Sequence, residues 1–318
     1  MTTSTPMRLA CLASGLFLFL YLLLGTVGWA PSSQSMASIG EASYWCERVY
    51  PGLFREPVNA LSNLGFMLAG LLMFYVLSKD QDTGESQNQL TGFTPLSILY
   101  ASAVIWLGPG SMLMHGTHTA WGGWADNLSM VMYILIPWLI NVGAMARWSS
   151  AQVLQIYFVI VFTYAISRWF FGGRLGVNLD LFSLSIALWG ISECLLRFWS
   201  PAFRWLSGFI GFLIAAAFGI MPWDMLAAPE KFWWVILFWL PALFASHPPG
   251  IQRTYVPWYL LGIAAYMIAF AIWLKGRPGD PWCDPDSVIQ MHGIWHLLSA
   301  VATWCFFKFL RTERAHTG

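Results

Sequence analysis

Ten stretches of this chain are long and apolar enough to cross a bilayer, or nearly so: 8–29, 58–78, 94–116, 124–146, 151–171, 178–197, 204–222, 231–246, 258–274 and 288–310. A helix needs about 20 mostly apolar residues to traverse the hydrocarbon layer. Gly and Pro within such helices are tolerated where neighbouring helices satisfy the freed backbone groups. The stretch 231–246 is the shortest and also reads as re-entrant, so the expected number of crossings ranges from eight to ten. Composition agrees: 58% of the 318 residues are hydrophobic and only 10% are charged, against about 25% charge in soluble domains. The 20 Trp residues suit membrane–water interfaces. A net charge of +1 leaves no electrostatic footprint for nucleic acid. A cytosolic enzyme, a disordered scaffold and a nucleic-acid binder are excluded. The expected fold is an all-α, polytopic transmembrane helix bundle, with residues 1–318 as one integral membrane domain.

Placing the N-terminus in the cytoplasm puts nine Lys and Arg residues inside, among them the Lys308, Arg311 and Arg314 cluster, against seven outside. That bias follows the positive-inside rule. Compact loops and the absence of sorting tails suit a bacterial inner membrane. The first stretch also reads as a signal peptide, with small residues near Ala30 and Ala37, but its apolar run exceeds a typical leader core and favours a retained helix. Cys46 and Cys283 fall in loops on the outer face, which suggests a disulfide in an oxidising compartment; two unpaired thiols are the plainer reading. Cys11, Cys194 and Cys305 sit in spans as fillers.

Ionisable groups within a membrane are expensive, so each one raises a functional question. His292 and His296 lie four apart at the head of the last span, one above the other on a helix face. Two imidazoles so placed can share a metal ion, or can simply be solvated at the interface. Ser111 and His115 repeat the spacing near the outer end of the third span, and Asp126 opens the fourth. Taken singly, Asp126 reads as a helix cap and Ser111 as a small packing residue. Taken together, alternating spans bring Ser111, His115, Asp126, His292 and His296 to one depth. Three histidines, one open coordination position and a nearby carboxylate describe a catalytic zinc site rather than a structural one. His118 competes with His115 for the third ligand but is expected at the interface; His247 and His316 are expected elsewhere.

Three blocks then carry a family likeness: WCERVYPGLFREPVNALSN, GPGSMLMHGTHTAWGGWADNLSM and HGIWH. They resemble the alkaline ceramidases, within a superfamily of membrane hydrolases that includes adiponectin-type receptors and Per1 proteins. The resemblance implies a seven-helix hydrolase core (here 44–310) that gains an extra N-terminal helix (8–29). It would also hold five spans between Asp126 and His292 where the family has three. It further implies a zinc-dependent amidase that cuts the N-acyl bond of a ceramide-like membrane lipid, with zinc on His115, His292 and His296 and with Ser111 and Asp126 acting on the carbonyl and the water. The alternatives are a zinc-containing lipid-sensing receptor or another lipid hydrolase of the superfamily, or a transporter, against which stands the outer rather than midplane depth of the polar residues. Asn59, Ser62 and Asn63 are expected either to orient the ligands or to join helices.

Calcium is implied near the first block. This chain has Tyr44 where the family has Asp, and Arg48 or Val49 at a later ligand position. Glu47, Glu56 and the Trp45 carbonyl remain, against the 6–8 oxygens calcium prefers. Arg48 and Arg55 are close enough in sequence to pair with those carboxylates instead.

Overall fold

The computed structural model describes residues 5–29, 37–80 and 88–315; Ala30, His316 and residues 81–87 of the 79–93 loop lie outside them. The chain runs through α1 (Thr5–Val27), α2 (Pro57–Ser62), α3 (Leu64–Lys79), α4 (Pro95–Thr117), α5 (Ala120–Ala146), α6 (Ser150–Phe171), α7 (Leu181–Phe198), α8 (Pro201–Leu206), α9 (Ile210–Ala217), α10 (Pro222–Ala227), α11 (Leu240–Phe244), α12 (Trp258–Lys275) and α13 (Met291–Leu310). Strand structure among the described residues amounts to one two-residue ladder, Ile251–Gln252 with Arg314–Ala315. Among the described residues, eight helical stretches are long and apolar enough to cross a membrane, with α2 and α3 counted as one, Pro57–Lys79.

The count falls at the lower end of the expected eight to ten. Two of the ten apolar stretches, 204–222 and 231–246, fall instead in shorter apolar helices, Pro201–Ala217 and Trp233–Phe244. The first ends in a turn at Gly219, in the left-handed region at φ 84°, just ahead of Pro222. The second begins as a tight 3₁₀ segment, Trp233–Trp239, and continues as α11. It reaches only about 21 Å at the rises of 3₁₀ and α-helix, against about 30 Å of hydrocarbon. Three long helices, α6, α7 and α12, separate Asp126 from His292, rather than the expected five. The count changes by a pair, so the ends of α4, α5 and α13 that carry the polar residues keep their common side.

Two compact units are distinguishable by contact, one comprising 1–129 and 253–313, the other 130–252 and 314–318. In the first, close helix packing depends on missing side chains, as membrane helix contacts often do. A methyl group on Gly108 would come within 2.9 Å of the Asn63 carbonyl oxygen, and one on Gly110 within 2.6 Å of Ser129 Cβ. These two glycines flank Pro109 and immediately precede Ser111, so they set how near α4 lies to its neighbours at the functional end. α1 belongs to the same unit: Tyr21 donates to the Leu53 carbonyl at 3.0 Å, and its hydroxyl occupies the space a side chain on Gly116 would need. At the other end of these helices Arg311 grips Asp80 with both terminal nitrogens, at 2.7 and 2.8 Å.

The second unit is built around the remainder of α5 with α6 and α7. Asn141 donates to Glu193 Oε2 at 2.9 Å and to Ser192 Oγ at 3.2 Å, all three side chains being buried. α6 turns Phe158, Val159, Phe162 and Phe170 outward, the pattern of a helix whose solvent is lipid.

Candidate metal centre

The polar residues expected at one depth, Ser111, His115, Asp126, His292 and His296, all lie in the first unit. His115 occupies the last turn of α4 and is 2% exposed; His292 and His296 occupy the first turns of α13. The three side chains come together although 177 residues separate His115 from His292. Each offers one ring nitrogen, and these three nitrogens lie within 4.8 Å of one another. Among the described residues this is the one group of His, Cys, Asp or Glu side chains so arranged.

The surrounding hydrogen bonds fix which nitrogen faces inward. Glu56, directly ahead of α2, accepts from His115 Nδ1 at 2.7 Å and from His118 Nε2 at 2.6 Å. Burial works against the charged form of Glu56, but the two imidazoles outweigh it and hold its pKa below the ordinary carboxylate range. A carboxylate accepts only, so His115 carries its hydrogen on Nδ1 and presents an Nε2 lone pair. Ser62 Oγ donates to the Asn59 carbonyl at 2.9 Å, leaving its own lone pair to accept from His296 Nδ1 at 2.8 Å. His296 Nε2 is then likewise an acceptor, 3.4 Å from Ser111 Oγ. His292 Nε2 stands 3.0 Å from His115 Nε2, while its Nδ1 is buried and meets no protein partner. The His292 ring is held instead by stacking on Trp45, with centroids 4.4 Å apart. Two inward lone pairs beside a third imidazole form a donor set that suits a metal ion.

The loop carrying Trp45 is fastened to the loop before α13. Cys46 and Cys283 form a disulfide across 237 residues. Arg48 N–H donates to the Pro285 carbonyl at 2.9 Å, and the Arg48 guanidinium binds Asp286 through Nη2 at 2.6 Å. Glu47 reaches the free N-terminal end of α2 and accepts from Val58 N at 2.7 Å and Asn59 N at 2.8 Å. Burial, opposed by those two hydrogen bonds, pushes the Glu47 carboxyl up from its ordinary value.

The family model described as Ceramidase matches residues 41–317 of the chain. The chain belongs to the ceramidase family. No curated protein and no solved structure matches it. Ceramidase membership implies a metal-dependent hydrolase acting on the amide bond of a lipid, and the long apolar helices are those of a multi-pass membrane protein.

Measured against the residues expected of such a ceramidase, Ser111 and Asp126 are both buried, and Asp126 interacts electrostatically with His115. Ser62 touches His296 directly; Asn59 donates to Glu56 Oε2 at 2.8 Å, and Asn63 reaches only the Asn59 carbonyl, at 2.7 Å. His118 departs from expectation: it is 4% exposed rather than interfacial, because it ends α4 in the left-handed conformation, at φ 52°, with its ring on Glu56. Of the residues expected near calcium, Glu47 accepts from two backbone N–H groups and Glu56 from side-chain N–H groups on both oxygens. The arginines do not pair with these carboxylates: Arg48 goes to Asp286 and Arg55 Nη1 to the Tyr50 carbonyl at 3.4 Å. His247 lies in a loop of the other unit.

Proposed function

We propose that this chain is a zinc-dependent amidase of the membrane, hydrolysing the N-acyl bond of ceramide-like lipids to a sphingoid base and a fatty acid. The observation that carries the reading is the convergence of three buried imidazole nitrogens beside a buried serine. Two nitrogens ligating one tetrahedral zinc at 2.0–2.1 Å stand about 3.3 Å apart, and the 3.0 Å between His115 and His292 is close to that spacing. Neutral imidazoles with one nitrogen tied outward suit zinc, and the open fourth position suits catalysis. Held by His115, His292 and His296, zinc supplies a Lewis acid and lowers the pKa of a coordinated water towards about 7.

The protein's own groups complete the reaction. Asp126 accepts a proton from the attacking water and delivers one to the departing amine, so that water's hydroxyl ends on the acid and its hydrogen on the amine. Ser111 donates a hydrogen bond to the carbonyl oxygen as negative charge grows there. Glu56, Ser62 and Trp45 keep the three rings in register. The Cys46–Cys283 bridge supports placing this end of the helices in an oxidising compartment, on the periplasmic face of a bacterial inner membrane.

The test is metal analysis of the purified protein, followed by fatty-acid release from defined ceramides with and without a chelator. About one zinc per chain, lost together with hydrolysis in His292→Ala and His296→Ala, is the expected result. Zinc content unchanged by both substitutions overturns the ligand assignment.

A further inference from the structure

The region in which the family likeness implies calcium is closed in this chain by protein donors. Glu56 is at the centre of that closure: Oε2 takes His115 Nδ1 and the Asn59 amide, and Oε1 takes His118 Nε2. All of these groups are buried. The carboxylate that would otherwise offer an oxygen to calcium thus bridges two imidazoles, one inside the metal triad and one outside it. The left-handed turn at His118 brings the second ring back under the end of α4. The backbone N–H of His118 bonds the Met114 carbonyl at 3.0 Å, so the cap itself does not depend on the ring. The other carboxylate, Glu47, is spent on the first N–H groups of α2, where helix termini leave donors unsatisfied.

We propose that His118 is a positioning residue for His115, acting through Glu56 in the place calcium is implied to fill, and that this chain works without calcium. The proposal rests on the reading of His115 as a zinc ligand. His118 fixes the Oε1 side of Glu56, which leaves Oε2 aimed at His115 Nδ1 and keeps His115 Nε2 facing the metal. Outer partners of this kind typically carry a factor of 10–100 in metal affinity or activity. A Gln at this position carries a terminal N–H near the place of the imidazole Nε2, whereas Ala carries none.

The experiment compares the full-length wild type, His118→Ala and His118→Gln in detergent. Zinc affinity is read by competition with a chromophoric chelator, kcat and KM are measured on a defined ceramide, and zinc-loaded wild type is titrated calorimetrically with calcium chloride to about 1 mM, the weak end of protein calcium sites. Expected are a roughly tenfold loss of zinc affinity in His118→Ala, a lower kcat at unchanged KM, recovery of most of both in His118→Gln, and no calcium binding or activation. Wild-type zinc affinity in His118→Ala overturns the positioning role, and stoichiometric calcium binding that activates the wild type overturns calcium independence. If His118→Ala does not fold, His118→Gln and the calcium titration still decide: a Gln variant as weak in zinc as the triad variants counts against the proposal. Wild type that holds no zinc at all overturns the zinc reading itself, and this inference with it.

Discussion

Each imidazole of the triad is steadied by a different kind of neighbour: a carboxylate for His115, a hydroxyl for His296 and an indole face for His292. Ser111 differs from all three, since its contact with His296 Nε2 is long, at 3.4 Å, and its hydroxyl is free to turn toward a substrate oxygen. Ser111→Ala is therefore expected to lower kcat by about 10²–10³, the usual loss of one oxyanion donor, with KM and zinc content unchanged; a parallel loss of zinc would make it a ligand-positioning residue. The triad was legible in the sequence because His292 and His296 repeat at helix spacing and His115 lies at a matching helix end. His118 and Glu56 were not, because their partnership joins residues 62 apart and depends on one left-handed residue that periodicity does not reveal.

At the scale of elements, the hydropathy pattern located every long helix, and the structure falls at the lower end of the expected eight to ten crossings. Stretches 204–222 and 231–246 are apolar enough to span, yet hydropathy is blind to the turn at Gly219 that ends the first helix and to the 3₁₀ geometry that shortens the second. That the loops before α2 and before α13 lie on one side was readable from the alternation of spans, and the Cys46–Cys283 bridge joins them. That bridge closes a very long loop, the case in which the chain-entropy account of disulfides gives its largest effect. Cys46→Ser with Cys283→Ser is expected to cost about 2–4 kcal/mol in detergent unfolding and to quicken zinc release, because Trp45 adjoins Cys46 and stacks on His292. Cys11→Ser, at an exposed unbridged thiol, is the control. A double variant as stable as the parent would show that the Arg48 contacts to Pro285 and Asp286 suffice without the bridge.

Across the whole molecule, a metal held by the three imidazoles would link parts of the chain that hydropathy alone leaves independent. Lipid-facing helices such as α6 would gain nothing from that ion, whereas the end of α4, the start of α13 and the Glu56-to-Ser62 segment would share it through the triad and its hydrogen-bond partners. A ligand that binds only the folded state stabilises by about 2.7 kcal/mol at 100 times its Kd, and that gain belongs to the elements which must stay folded for binding. Removing zinc with a chelator is thus expected to lower the unfolding temperature and to speed amide hydrogen exchange in segments 55–63, 111–118 and 291–299. Exchange within 150–171 and 181–198 stays as it was, and added zinc reverses the change. Uniform acceleration in all these segments would mean that the ion supports the fold in general rather than one site. No change in any of them would mean that the three imidazoles hold their places without it, stabilised by Glu56, Ser62 and Trp45 alone.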